Sequence, residues 1–259
     1  MGFTNPYPAG RLTVDSGNAI APSVAFFPLT EGTGSVSQCI LHPSHTGTIT
    51  NGTWVSESIG TALQLGTTSN VSGTGVNAST AVTMSLWYKE NGSTASGPIF
   101  LSLPRSTGGA NGMELQHRGS GVRLGVYTNS SGSRVTATSS AVNIGDGEWH
   151  HIVGTYDGSN VRLYIDGLER ASAAQTGTVS QLANGEFNIN ALSSGTSGFS
   201  CDGIYQNVRF YDSALTAAQV QTLYHRPWES TNYGDIWPYS PPAAGSMTLS
   251  TDTAATSLN

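Results

Sequence analysis

The chain has 259 residues, of which 10% are charged and 32 are glycine, and its formal net charge is −6. Disorder normally needs high net charge and few apolar residues, but the net charge here is only −6 and 37% of the chain is hydrophobic, enough for a packed core. Lys89 is the only lysine and the arginines read as scattered, so the cationic stripe that nucleic acid demands is missing, and no apolar run is long enough for a membrane helix.

Taken in order, residues 1–20 hold two prolines and few apolar repeats and read as an N-terminal arm. The start lacks a basic segment followed by an apolar one, so synthesis without a cleaved leader is expected. Met1-Gly2 opens like a myristoylation signal, but Pro6 stands where that signal needs Ser or Thr. Apolar and polar residues then alternate in Val82–Tyr88, Val122–Tyr127 and Val161–Ile165, each predicting a strand with one buried face. Turn signals lie between them at Glu90-Asn91-Gly92, at Asp157-Gly158-Ser159-Asn160 and at Asp166-Gly167, where Asp-Gly favours a two-residue hairpin. Gly73-Thr74-Gly75 and Gly112-Met113-Glu114 read as loops. Strands recurring at such short intervals predict an all-β sandwich or jelly roll.

One helix is predicted over Thr216–Tyr224, with Thr216 as N-cap and Leu215, Val220, Leu223 and Tyr224 on one face. Beyond Arg226 the chain changes character. Residues 227–259 carry Pro227, Trp228, Tyr233, Trp237 and Tyr239, then a Ser/Thr/Ala-rich end. Prolines forbid helix and central strand there. Aromatics surplus to a closed core are stabilised by docking on a partner, a neighbouring copy or the chain's own sandwich. These five residues are therefore the candidate assembly contacts.

Catalytic signals are thin. Glycosidases need two carboxylates about 5 to 9.5 Å apart, and no predicted strand carries acids at alternate positions. There is no Gly-x-Ser-x-Gly elbow and no His-Glu-x-x-His helix. His150 and His151 fall on opposite faces of one strand, so they cannot chelate one metal together. Glu148, Asp157 and Asp166 sit at turns, where local backbone bonds explain them. No catalytic residue and no cofactor is expected. The five sequons at Asn51, Asn70, Asn77, Asn91 and Asn129 arise readily in so Asn/Ser/Thr-rich a chain.

Three stretches carry a resemblance. Gly147–Gly158 continuing through Val161–Gly167 resembles the hallmark hairpin of laminin G-like domains. Asn207–Thr216 resembles their final strand and its lead into a short helix, and Ala25–Gly34 their opening strand. The three occur in family order. The resemblance implies a concanavalin A-like jelly-roll sandwich of two antiparallel sheets over residues 21–226, with one short helix near the C-terminus and extended terminal arms. Trp87 and Trp149 are expected in its core, while Trp54 and Tyr127 are not assigned to core or surface.

Many such domains hold calcium at the rim. Here Leu63–Thr68 carries no acid where the family pattern has one, and Gln206 stands where another acid often opens the last strand, although Asp202 is near. Calcium wants six to eight hard oxygens, so no calcium site is expected. The family alignment brings Cys39 and Cys201 towards one edge. A disulfide, a zinc set of Cys39, His42, His45 and Cys201, and two free thiols all remain open.

Two functional classes follow. The ending Leu223–Glu229 resembles the Leu-Tyr-x-x-Pro-Trp close of phage-encoded single-domain laminin G-like proteins. That implies a non-enzymatic virion protein of a tailed bacteriophage, made in the host cytoplasm and displayed on the particle as a capsid decoration or other exposed component. Its partners would be virion proteins held through the terminal arms, surface glycans and copies of itself, with no nucleic acid and no membrane. The alternative is an extracellular carbohydrate-binding lectin or adhesion module, which rests on fold analogy alone.

Overall fold

The turn chemistry is realised as read. Asp166 and Gly167 take φ values of 53° and 78° and join Ile165 directly to its partner Leu168, a two-residue hairpin of the primed kind. The Asp157 carboxylate accepts from the Ser159 and Asn160 amides at 2.8 and 2.6 Å and closes the neighbouring turn. The computed structural model describes residues 12–58, 60–92, 97–105, 111–119, 121–129, 134–140, 142–192 and 199–233.

In chain order the first strands are β1 (Leu12–Val14), β2 (Ala25–Phe27), β3 (Val36–Gln38), β4 (Thr46–Thr50), β5 (Thr53–Glu57) and β6 (Gly60–Leu65). Then come β7 (Asn70–Gly73), β8 (Val82–Glu90), β9 (Ile99–Pro104), β10 (Asn111–Arg118), β11 (Gly121–Tyr127) and β12 (Arg134–Ser139). The chain continues through β13 (Trp149–Tyr156), β14 (Asn160–Ile165), β15 (Leu168–Ala174), β16 (Phe187–Ile189), β17 (Gly203–Tyr211), α1 (Ala217–His225) and β18 (Thr231–Tyr233). The first sheet runs β12-β11-β10-β9-β16-β7-β4-β3, and the second β15-β14-β13-β8-β17-β6-β5 with β2 also on β17. All pairings in both are antiparallel. This is the predicted jelly-roll sandwich.

Between the sheets lie Leu101, Leu103, Leu115 and Leu124 from the first and Met84, Leu86, Ile152, Leu163 and Phe210 from the second. Gly154 allows close approach there, because a Cβ on it would stand 2.7 Å from Leu124 Cδ1. A second apolar cluster lies on the far side of the second sheet. Val153, Tyr164 and Tyr211 face Ile20, Leu215, Val220 and Leu223 across it. The helix that seats this cluster starts with the expected cap: Thr216 accepts from the Gln219 amide and Gln219 answers with a capping box. For this reason β8 is buried along both faces from Val82 to Tyr88, where one buried face was expected.

Of the two end segments, residues 12–20 and 227–233 are described. Ile20 is already buried, and β1 pairs with β18, Leu12 opposite Tyr233. Pro227 is buried, and its carbonyl accepts from the guanidinium of Arg209, itself 1% exposed. The Trp228 ring lies 6.2 Å from that of Phe26. Of the candidate contacts, Pro227 and Trp228 thus pack on the chain's own sandwich, and the backbone of Tyr233 pairs with β1. The physical reason is Arg209, whose buried charge needs a carbonyl and an aromatic face, here Phe26 at 4.4 Å. Trp237 and Tyr239 lie outside the described residues.

Candidate binding face

The apolar cluster under α1 covers the centre of the second sheet's outer face, whereas the outer face of the first is lined by polar side chains. Along β10, Met113 and Leu115 point into the core, so by strand alternation Glu114 and Gln116 point out. Register then carries one polar row across the sheet: Thr136, Gly125, Glu114, Ser102, Asn188 and Ser72 stand opposite one another on successive strands. Gly112-Met113-Glu114, read as a loop, is part of β10. Its glycine is a close-approach residue, since a Cβ there would meet the Ser180 carbonyl oxygen at 2.0 Å.

Glu114 is the centre of this face. It is 2% exposed, and its Oε1 accepts from Arg134 and, at 3.4 Å, from Arg123. Gly125 leaves room for that pair; a Cβ on it would stand 2.9 Å from Arg134 Cδ and 3.1 Å from Glu114 Oε1. Arg123 also donates to Gln116 Oε1, and Gln116 donates to the Gly97 carbonyl. Burial first, then the charges of Arg134 and Arg118, lower the Arg123 pKa below its usual value. Arg105 lies over the Tyr127 ring at 4.5 Å and Arg134 at 5.9 Å. Ser102 and Asn188 are buried in the same row: Ser102 donates to the Ala191 carbonyl at 2.8 Å and Asn188 to Glu186 at 3.2 Å. Asn188 Oδ1 and Arg123 Nε are buried without a protein partner.

None of Glu114, Arg105, Arg123 and Arg134 was singled out from the sequence. A signal was there. Between residues 91 and 145 the only acid is Glu114, against Arg105, Arg118, Arg123 and Arg134. Calling the arginines scattered missed that the sheet gathers them.

The other candidates resolve as structure. His151 bonds Ser85 Oγ at 2.9 Å, which looks like a nucleophile and its base. Both are buried, however, and burial takes the His151 pKa down to about 3. Its ring stacks 5.2 Å from Trp87, and Trp87 lies 5.8 Å from Tyr224 of α1, so Trp87 is buried under the helix rather than between the sheets. His150 is elsewhere, bonded to Asp166 at 2.8 Å and Asp146 at 3.0 Å. Burial opposes its charge, but the two carboxylates outweigh that and raise its pKa. Trp149 is half-buried, as is Trp54, whose Nε1 donates to the Gly34 carbonyl at 2.9 Å.

Cys39 and Cys201 are both buried free thiols, so the disulfide is not formed. Burial above all raises the Cys201 pKa. The His42 and His45 rings are 4.9 Å apart, but among the described residues no three His, Cys, Asp or Glu side chains converge to hold a metal. Gln206 donates to the Thr61 carbonyl at 2.8 Å, a structural role in place of the absent acid. Among the described residues no helix is long and apolar enough to cross a membrane.

Comparison with known proteins agrees with this architecture. Among solved structures, the chain is similar to the binding domain of Paraclostridial Mosquitocidal Protein 1, at 12% identity and a TM-score of 0.61, over 80% of this chain and 52% of that one. It is also similar to domain 4 of AbnA, a GH43 extracellular arabinanase from Geobacillus stearothermophilus solved with arabinotriose, at 22% identity and a TM-score of 0.53, over 78% and 97% of the two chains. A third is the receptor-binding domain of botulinum neurotoxin type G, at 10% identity and a TM-score of 0.58, over 79% and 51%. The chain spans about half the length of the two toxin domains. At these identities the likeness is one of fold. No curated protein matches by sequence. A laminin G family model, described as the concanavalin A-like lectin/glucanases superfamily, matches residues 61–221. This stretch runs from β6 to α1 and includes the whole polar face from β9 to β12, so the chain belongs to that laminin G-type family of concanavalin A-like proteins.

Proposed function

We propose that this protein is a non-catalytic, glycan-binding jelly roll displayed on a tailed-bacteriophage particle, as a capsid decoration or other exposed component. The observation that carries the binding role is the asymmetry of the sandwich. The centre of one sheet's outer face is covered by α1 and the chain ends, while the outer face of the other carries a register-aligned polar row, buried at Glu114, Ser102 and Asn188 and part-exposed at its margin at Arg123, Tyr127 and Arg134. Sugars are bound by fixed donors and acceptors of this kind, because a prearranged partner set loses little freedom on binding. Support also comes from the neighbours: the arabinanase domain was solved with arabinotriose, and a binding domain of botulinum neurotoxin DC with SialylT.

Absence of catalysis is supported by how the acids are used. Glu114 is taken up by two arginines, and Glu186 stands two strands away beside Asn188. The particle assignment is supported by the Leu223–Glu229 ending and by a low-charge chain rich in Ser, Thr and Gly. A glycan array probed with the full chain, beside a Tyr127→Ala variant, tests the binding role. Saccharide-specific signal that the variant loses is expected, and a blank array would overturn the role. Mass spectrometry of purified phage particles tests the location; particles that lack the chain would overturn it.

A further inference from the structure

The ligand's chemistry can be taken further, on the reading that this face binds a glycan. We propose that the outer face of β9–β12 recognises an acidic saccharide, whose carboxylate or sulfate group sits among Arg105, Arg123 and Arg134 beside Tyr127.

The case rests first on charge. The chain as a whole is at −6, yet Arg105, Arg118, Arg123 and Arg134 gather on one half of one sheet. Against them stand Glu114 and, at the margin, Glu186. Glu114 offers the same oxygen, Oε1, to both Arg123 and Arg134, so two guanidiniums share one acceptor atom. The neighbouring charges of Arg134 and Arg118 press on Arg123, which also keeps a buried Nε without a protein partner. A bound anion relieves this crowding.

Geometry is the second argument. The side chains of Arg123 and Arg134 are 14% and 29% exposed, which is enough to reach a ligand and too little to swing freely. The Tyr127 ring holds Arg105 and Arg134 close to its face. Guanidiniums fixed in this way match the two oxygens of a carboxylate or sulfate. A nucleic acid is a poorer fit, because four cations in a chain of net charge −6 give no extended stripe for a phosphate backbone.

The test pairs acidic saccharides with neutral counterparts: oligogalacturonate with its methyl ester, sialyllactose with lactose, and a sulfated disaccharide with its unsulfated form. Titration calorimetry on the full chain should show binding of at least one acidic member, and its pair identifies carboxylate or sulfate as the anion. The neutral counterpart should bind about tenfold or more weakly, as should the acidic ligand to Arg123→Gln or Arg105→Gln, since hydrogen bonds to charged groups are at stake. Arg226→Gln, on the opposite side, should bind like the parent, and melting curves confirm that each variant folds. Equal binding of acidic and neutral partners, or undiminished binding by both face variants, would overturn the acidic-ligand proposal and leave glycan binding standing. No binding to any saccharide would remove both. A DNA oligonucleotide bound as tightly as the acidic sugar would overturn saccharide recognition.

Discussion

Cutting the chain after Arg226 distinguishes a free tail from a structural one. Residues 227–230 return to the sandwich, and β18 closes a separate two-stranded sheet with β1. The Pro227 carbonyl accepts from Arg209 and, at 3.4 Å, from Asn207; Trp228 lies on Phe26; the Ser230 carbonyl accepts from Asp15 at 2.8 Å; and β18 pairs with β1. A hydrogen bond to a charged group contributes about 1.5 to 3 kcal/mol, and an aromatic pair about 0.5 to 1.5 beyond its buried area. Truncation also lets water reach Arg209, which offsets part of this loss, so the net cost is about 3 kcal/mol. At about 2 to 4 °C per kcal/mol for a domain near this size, the 1–226 chain should melt roughly 6 to 12 °C below a 1–233 chain. The assay is calorimetry or circular dichroism on both chains beside the full protein. Melting of 1–226 within about 2 °C of 1–233 would refute the structural role given to Arg209 and Trp228. The 1–233 chain has a second use. It keeps every contact described above but lacks Trp237 and Tyr239, so loss of self-association or particle attachment at an unchanged melting temperature would assign assembly to that segment.

Asn190→Ala should destabilise by about 3 to 5 kcal/mol in denaturant titration, because Asn190 donates to the Gly66, Ser69 and Cys201 carbonyls and accepts from Cys201 and Tyr205; a loss below about 1 kcal/mol would contradict that network. His150 has a raised folded-state pKa from Asp166 and Asp146, so its charged contacts stabilise fully below the unfolded value of about 6.5 and fade as pH rises through the folded one. His150→Gln should therefore cost more at about pH 6 than at about pH 9, and a cost that grows with pH would reverse the assignment. Ellman titration without reductant should find both thiols in denaturant and neither in the native protein, given that Cys39 and Cys201 are buried and free; no thiol in denaturant would mean a disulfide. EDTA should leave the melting temperature unchanged, and a fall of several degrees would show a bound metal.

What the sequence shows and what it hides divide along the range of the interactions. Asp166-Gly167 specifies its hairpin because the turn needs positive φ at two adjacent residues, a demand those two residues meet by themselves. Thr216 and Gln219 specify the helix start for the same reason, being three residues apart and sufficient as a pair. Arg209 could not be read in this way. On alternation it is a polar residue on an outward face, and only the return of Pro227 and Trp228 buries it. The binding face is hidden by the same logic. Glu114 meets Arg123 across one strand pair and Arg134 across two, at separations of nine and twenty residues, so its surroundings exist only once the β10–β11–β12 register is set. Gly112 and Gly125, which look like loop or filler in the sequence, set the space in which that register closes. Local chemistry does survive at one level: a stretch with one acid and four arginines, in a chain whose net charge is −6, remains unbalanced however it folds. An antiparallel sheet turns that imbalance into a surface by bringing the strands that carry it side by side. This jelly roll thereby gathers four of its ten Lys and Arg residues on one half of one sheet.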